Sequence, residues 1–341
     1  SLPLMGIGFF AYWGGLRFTV YAVPVAALGA VYLFVWIAEY IRERRLAIAL
    51  PIAATAAMLV PNIEHIVAYK VPTVFSAPEV KDLVALDKNA GGKDYTLAWW
   101  DYGYPIWFYS DTSTLIDGGK HDEDNYIVSK ILQTDSPTLA ANLSRLAIET
   151  YVRNPHEKVA PKLFGKKDPN LLLAELESGK VKLPPKTREI YLYLPLKMLN
   201  IFPTVILFGN LDLKTGKALY RPRFFVTRPL KKEGNLLALS NGLLIDFARG
   251  KLRLGKEEAP LRRFVIATLD RDMKIGIKEQ NYGSDGLYSV IYMRNYNQIL
   301  VMDEKTYHSL YIQMFVLGHY DPKLFEPVVT SPYTRIYRLK R

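Results

Sequence analysis

In LAWWDYGYPIWFYSD, residues 97 to 111, two tryptophans stand directly before an aspartate. Each indole carries one N–H donor that needs a partner when buried, and an ionised carboxylate only accepts hydrogen bonds. Trp99, Trp100 and Asp101 therefore offer what a hydroxyl asks for, an acceptor for its proton and a donor for its lone pair. The plainer alternative is that the indoles fill space in a strand, although adjacent strand residues point to opposite faces.

Other residues invite chemistry with less force. His121 opens HDEDN, a histidine followed by three acids, which could hold a hard cation but reads first as a solvated loop. The remaining histidines, His65, His156, His308 and His319, show no H-E-x-x-H spacing, and no G-x-S-x-G elbow or P-loop occurs. Arg17 ends one uncharged run and begins another. It is either an interfacial anchor or a guanidinium that grips a lipid-borne phosphate through paired hydrogen bonds. In LPLKMLNIFP, Pro195 can open a short helix that puts Met198 and Ile201 on one face; taken alone, such an apolar pair is core.

The elements that must position these residues follow from the patterning. The chain has 341 residues, half of them hydrophobic, enough for one large or two ordinary domains and too apolar for global disorder. A net charge of +11 suits an anionic partner, whether nucleic acid, lipid headgroups or a phosphate-bearing substrate. Phe18 to Ala38 and Leu46 to Ile63 carry no charge, and each run is long enough as a helix to cross a hydrocarbon core of roughly 30 Å. A pair of buried core helices is the competing explanation.

Between them, EYIRERR places Arg42, Arg44 and Arg45 in a short loop, which is expected to stay cytoplasmic. Residues from about 64 onward are then extracytoplasmic, so nucleic acid is a poor partner. The opening SLPLMGIGFFAYWGGL is uncharged and lacks a basic n-region; it reads as the tail of a further membrane helix in a longer polytopic protein. With no cysteine, disulfides and thiolate chemistry are excluded.

The expected fold is α+β. Membrane helices occupy residues 1–63, a mixed α/β core 64–204, and a β-rich unit with one helix 205–341. Within the core, a helix near Ala77 to Asn89 precedes a strand YTLAWW, a short helix from Pro105 and a second strand STLIDGG. Ser136 with Pro137 opens one helix, and another ends at Gly179. Past Phe202, short apolar runs alternate with glycine-rich turns, as in KEGNLLALSNGLL and RGKLRLGKEEAP, interrupted by one helix, EKTYHSLYIQMFVLG.

WWDYG, Trp99 to Gly103, resembles the signature of the oligosaccharyltransferase catalytic subunit. LRFTVYAVPVAALG (16 to 29), YSDTSTLIDGGKH (109 to 121), PKTREIYLYLP (185 to 195) and YIQMFVLGHYD (311 to 321) are similar to its bacterial single-subunit, PglB-type form. The resemblance spans almost the whole chain. It implies a multi-pass enzyme of the bacterial inner membrane, with residues from about 64 onward in the periplasm. Such an enzyme moves a glycan from a polyprenyl pyrophosphate to the Asn of an Asn-X-Ser/Thr acceptor with the help of Mn2+ or Mg2+.

Carried over residue by residue, the resemblance makes Trp99, Trp100 and Asp101 readers of the acceptor hydroxyl. Met198 and Ile201 match a Met-x-x-Ile signature whose Ile packs on the threonine methyl, and Arg17, Tyr104 and His121 fall at donor contacts. HDED departs from the bacterial pattern just after His121. The resemblance also sets the metal ligands and catalytic carboxylates upstream of Ser1, so no catalytic or metal-binding residue is expected here and the chain alone is expected to be inactive. The competing function is a membrane-anchored periplasmic module that binds carbohydrate or peptide without catalysis.

Overall fold

The structure is a computed structural model that describes residues 2–15, 18–70, 73–165 and 167–340. It divides into two compact units, Ser1–Val74 and Phe75–Arg341. In the first, short helices α1 (Leu2–Phe9) and α2 (Ala11–Gly14) precede α3 (Thr19–Ala38) and α4 (Arg44–Ala68). Both α3 and α4 are long and apolar enough to cross a membrane, and neither is buried within the structure. A core helix would hide a stripe of side chains, whereas among the described residues of these two helices only Ala38 is buried. Arg17 lies outside the described residues.

The second unit opens with α5 (Ala77–Asp87). The Glu79 carboxylate accepts from both the N–H and the hydroxyl of Ser76 at 2.7 Å, closing a capping box. There follow β1 (Tyr95–Leu97), a 3-10 turn (Trp100–Tyr102) and the helices α6 (Gly103–Ser110), α7 (Asn125–Gln133), α8 (Pro137–Arg153), α9 (Val159–Phe164) and α10 (Pro169–Glu177). Ser136 caps α8 by accepting from the Leu139 N–H at 3.2 Å, as its place before Pro137 predicts. Strand β2 (Ile190–Pro195) and helix α11 (Met198–Gly209) complete the helical part. Pro195 ends the strand instead of opening the helix.

Beyond α11 the chain forms β3 (Phe224–Thr227), β4 (Pro229–Glu233), β5 (Leu236–Leu239), β6 (Leu243–Asp246), β7 (Lys251–Leu254), β8 (Glu257–Leu269), β9 (Ile275–Asn281), β10 (Tyr288–Met293) and β11 (Gln298–Met302). These nine strands make one sheet in the order β3-β11-β10-β8-β7-β6-β5-β4, with β9 on β8. The expected helix over 304–318 is broken into α12 (Glu304–Tyr307) and a π-helical turn (Ile312–Val316). The chain then returns through β12 (Phe325–Thr330) and β13 (Thr334–Leu339), which join the first sheet in the order β1-β2-β13-β12.

The mixed α/β character with a β-rich part is therefore present, but two local expectations are corrected. Strand β1 stops at Leu97, and Trp100 already begins a 3-10 turn, so the indoles are not consecutive strand residues. STLIDGG forms no strand; it gives a single bridge from Ser113 to Tyr95 and a tight turn between Asp117 and Lys120. The partner of β1 is β2, parallel, with Tyr95 opposite Ile190 and Leu97 opposite Leu192. All six residues of β2 are buried, which removes the alternation that marks a half-exposed strand.

Candidate functional site

Each residue of WWDYG has a different task. Leaving β1, the chain stays extended through Trp99, whose ring is 2% exposed and meets Phe208 of α11 edge-on at 5.1 Å. Trp100 is half-buried and stacks on the His121 imidazole, 5.1 Å between ring centres. Asp101 lies at the surface of this wall. The mass around it pushes its carboxyl above the ordinary aspartate range, while its own backbone N–H and the Trp99 indole N–H pull the other way. Trp99 thus lies buried beneath the acid, and Trp100 is the indole that reaches the surface.

Tyr102 points inward between Phe75 and Tyr193, at 6.1 and 5.7 Å, and burial raises its phenol well above the usual tyrosine value. Gly103 starts α6 against the 116–117 backbone. A Cβ there would stand 2.4 Å from Asp117 Cβ and 2.7 Å from Asp117 Cα, so the contact admits only glycine.

That contact fixes the turn that carries His121. The Gly119 N–H donates to the Asp117 carboxylate at 2.8 Å, and Asp117 and Lys120 exchange backbone hydrogen bonds at 3.0 and 3.1 Å. The ring of Tyr104 lies over the two glycines, 2.7 Å from where a Cβ on Gly118 would be. One turn therefore gathers Trp100, Tyr104 and His121. From α11, Met198 is wholly buried and Ile201 half-buried, so of that pair it is Ile201 that reaches the surface.

The acids after His121 do not converge. Glu123 pairs with Lys158 at 2.5 Å. Asp124 is buried and accepts from the N–H groups of Val159 and Ala160, at 2.9 and 2.6 Å, anchoring the start of α9. The loop is thus partly structural, where a solvated loop was expected. Among the described residues no group of three or more His, Cys, Asp or Glu side chains could hold a metal ion.

Sequence reasoning missed the support beneath the wall. The buried Glu79 also takes the Lys197 ammonium at 2.8 Å, which ties α5 to the residue before α11. Burial pushes the Glu79 carboxyl up, yet Lys197 and the Ser76 donors outweigh it and hold the group below the usual glutamate range. Only the Ser-x-x-Glu spacing of the capping box could have signalled this from sequence.

Comparison with known proteins decides the kinship. A family model of the STT3/PglB/AglB core domain matches residues 92–215, and one of the STT3/PglB C-terminal beta-barrel domain matches 223–302. The crystal structure of the C-terminal domain of Campylobacter jejuni PglB is 30% identical, with a TM-score of 0.64 over 77% of this chain and 99% of that one. The chain belongs to the STT3/PglB family. Two Campylobacter jejuni proteins, from strains RM1221 and NCTC 11168, are named undecaprenyl-diphosphooligosaccharide–protein glycotransferase; each is 34% identical over the whole of this chain. The chain spans about half the length of these relatives. The STT3/PglB core match contains the WWDYG wall, the 117–121 turn and both Met198 and Ile201.

Proposed function

We propose that the wall of Trp99, Trp100 and Asp101 reads the Ser or Thr hydroxyl of an Asn-X-Ser/Thr acceptor. The enzyme transfers an oligosaccharide from a polyprenyl pyrophosphate to the acceptor Asn. The observation that carries this reading is the surface position of the Asp101 carboxylate between the buried Trp99 and the Trp100–His121 stack. A hydroxyl donates to such an acid, and the half-buried Ile201 is suited to a threonine methyl. His121 and Tyr104 face the donor side, with Arg17 as a cation for the pyrophosphate. The names of the Campylobacter relatives support the reaction class.

The Mn2+ or Mg2+ that this chemistry calls for finds no fitting ligand set among the described residues. What this chain's residues do is hold the acceptor: Asp101 takes the hydroxyl proton in a hydrogen bond and Ile201 excludes water from the methyl. The periplasmic face of a bacterial inner membrane is the proposed setting, with α3 and α4 as membrane spans.

The test uses the full-length gene product in detergent with divalent metal and a lipid-linked oligosaccharide. Fluorescent Asp-Gln-Asn-Ala-Thr is compared with its Thr→Ser and Thr→Ala counterparts. Transfer to Thr is expected to exceed Ser by about fourfold, the worth of one buried methyl at about 0.8 kcal/mol, with none to Ala. Equal use of the Ala peptide sinks the hydroxyl reading, and binding without transfer to any peptide favours the non-catalytic module.

A further inference from the structure

Where the α7–α8 junction meets the π-helical turn and the segment after it, a cavity of about 320 Å³ opens. Its floor is apolar: Leu310, Met314 and Phe325 line it and are at most 3% exposed. Its rim is polar, and Asp135, His308, His319 and Asp321 all reach solvent there. The chain has 44 Lys and Arg, yet among the described residues none lines this cavity.

What the rim offers is acceptors. Asp321 takes the Lys323 N–H on Oδ1 at 2.8 Å, which leaves Oδ2, and Lys130 attracts Asp135 without an ion pair. Neighbours set the two imidazoles in the same sense. Gln313 gives its Nε2–H to the Tyr307 carbonyl at 2.7 Å, so its Oε1 faces His319 Nδ1 at 3.3 Å and calls for a proton on that nitrogen. His308 Nε2 stands 3.4 Å from the Glu304 carboxylate, which likewise calls for a proton there. A neutral imidazole that donates from one nitrogen accepts at the other, which leaves His319 Nε2 and His308 Nδ1 as acceptors.

A ligand for such a rim must donate without accepting. Ammonium and guanidinium groups only donate, and both are carried on aliphatic stems that suit an apolar floor. Tyr320, 37% exposed beside the cavity, adds an aromatic ring that attracts a cation. A bare metal ion does not fit, because among the described residues no three such side chains converge as ligands. An anion would meet two acids and no cation on the lining.

We propose that this cavity receives an alkyl cation, its ammonium or guanidinium head between Asp135 and Asp321 and its stem on Leu310, Met314 and Phe325. A lysine or arginine side chain of a polypeptide and a free diamine share that chemistry. The inference does not rest on the acceptor reading.

Saturation-transfer NMR on the full chain tests it, in a non-ionic detergent at about pH 8, where imidazoles are uncharged. The probes are Nα-acetyl-lysine methylamide, its arginine counterpart, cadaverine and the uncharged Nα-acetyl-norleucine methylamide. Each is used at about 10 mM, ten times a Kd of about 1 mM. Saturation of stem protons is expected with at least one basic probe and not with the norleucine compound, although a net charge of +11 repels cations at large. Affinity should fall about tenfold, the worth of one charge-assisted hydrogen bond, in each of Asp135→Asn and Asp321→Asn, and stay unchanged in Asp101→Ala. The amide replacement keeps an oxygen for the Lys323 N–H, so neither rim variant threatens the fold. Tighter binding of the amino-acid probes than of cadaverine assigns the cation to a polypeptide, and the reverse order to a free diamine; either upholds the proposal. No saturation with any basic probe, equal saturation of the norleucine compound, or an affinity indifferent to both rim substitutions would overturn it.

Discussion

Around β2, polar side chains are buried and meet partners far away in sequence. Glu149, 1% exposed, takes both the N–H and the hydroxyl of Thr187, and Asp124 takes two N–H groups at the start of α9. In the nine-stranded sheet, Asp246 and Arg263 apart, most charges stand outward and meet neighbours. Glu258 on β8 collects Arg249, Lys251 and Arg253 from the adjoining hairpin. Its tight turns carry glycines at positive φ, Gly234, Gly242, Gly250 and Gly255, one between each successive pair from β4 to β8. The first region is held by non-local contacts with little tolerance, and a wall of defined geometry can be built there. The second obeys local rules that a different sequence could satisfy.

The largest expected effect separates the two regions by function. Asp101→Ala should lower transfer to the Thr peptide by about 10⁴-fold, the discrimination typical of a site built around a substrate hydroxyl. Near-normal use of that peptide by the variant would remove Asp101 from acceptor reading. The acid's raised pKa adds a pH signature. The hydroxyl donates to the carboxylate, so peptide affinity is present at high pH and is lost as pH falls through a value above the ordinary aspartate pKa of about 3.9. Asp101→Asn should be flat across that window, and a wild-type profile equally flat would contradict the assignment.

A pair of glycines sharpens the contrast. Gly103→Ala adds a Cβ where the backbone is already favourable for any residue but the space is filled by Asp117; overpacking of this kind costs about 1–3 kcal/mol. Gly255→Ala meets nothing within 4 Å, and its cost lies in φ +59 alone, about 1–2 kcal/mol. Denaturant melts should thus show similar losses. Only Gly103→Ala should also weaken peptide binding, because it displaces the turn that stacks His121 on Trp100. Equal peptide affinity in the two variants would break the link between that contact and the wall.

The same contrast explains what was legible in the sequence. The glycine-punctuated turns from β4 to β8, and the Ser136 cap with Pro137, are local signals, and they were readable. Strand β2 was not, because Ile190 to Pro195 is buried on both faces and shows no alternation. YTLAWW reads as one strand because its apolar run continues after the backbone has turned at Trp100. The residue types of the wall were legible through WWDYG, but not their division of labour. That depends on Phe208, His121 and Asp117, which lie far along the chain and carry no local spacing signal. EKTYHSLYIQMFVLG was misjudged for a related reason: its apolar content suits one helix, yet it is spent on a short helix and a π-helical turn.

Ion pairs give a last way to set the regions apart, with the smallest effect expected at Glu258. Glu79 is 3% exposed at its side chain and accepts from the half-exposed Lys197 and from two half-buried Ser76 donors, so Glu79→Ala removes these charge-assisted hydrogen bonds and the α5 cap and should cost about 1–2 kcal/mol. Its pKa is held below the ordinary glutamate value. The stabilisation is therefore complete above the unfolded-state pKa of about 4.3 and disappears as pH falls through the lower folded value. Salt should weaken it only in part, since the Glu79 carboxylate is buried while the Lys197 ammonium is 46% exposed. Glu258→Gln removes an acid whose cations are all within reach of water. Its effect on the melting midpoint should be smaller than that of Glu79→Ala at low ionic strength and vanish near 1 M salt, where the Debye length is about 3 Å. A Glu258 effect that persists in salt would mean that the outer sheet, too, depends on a desolvated charge network.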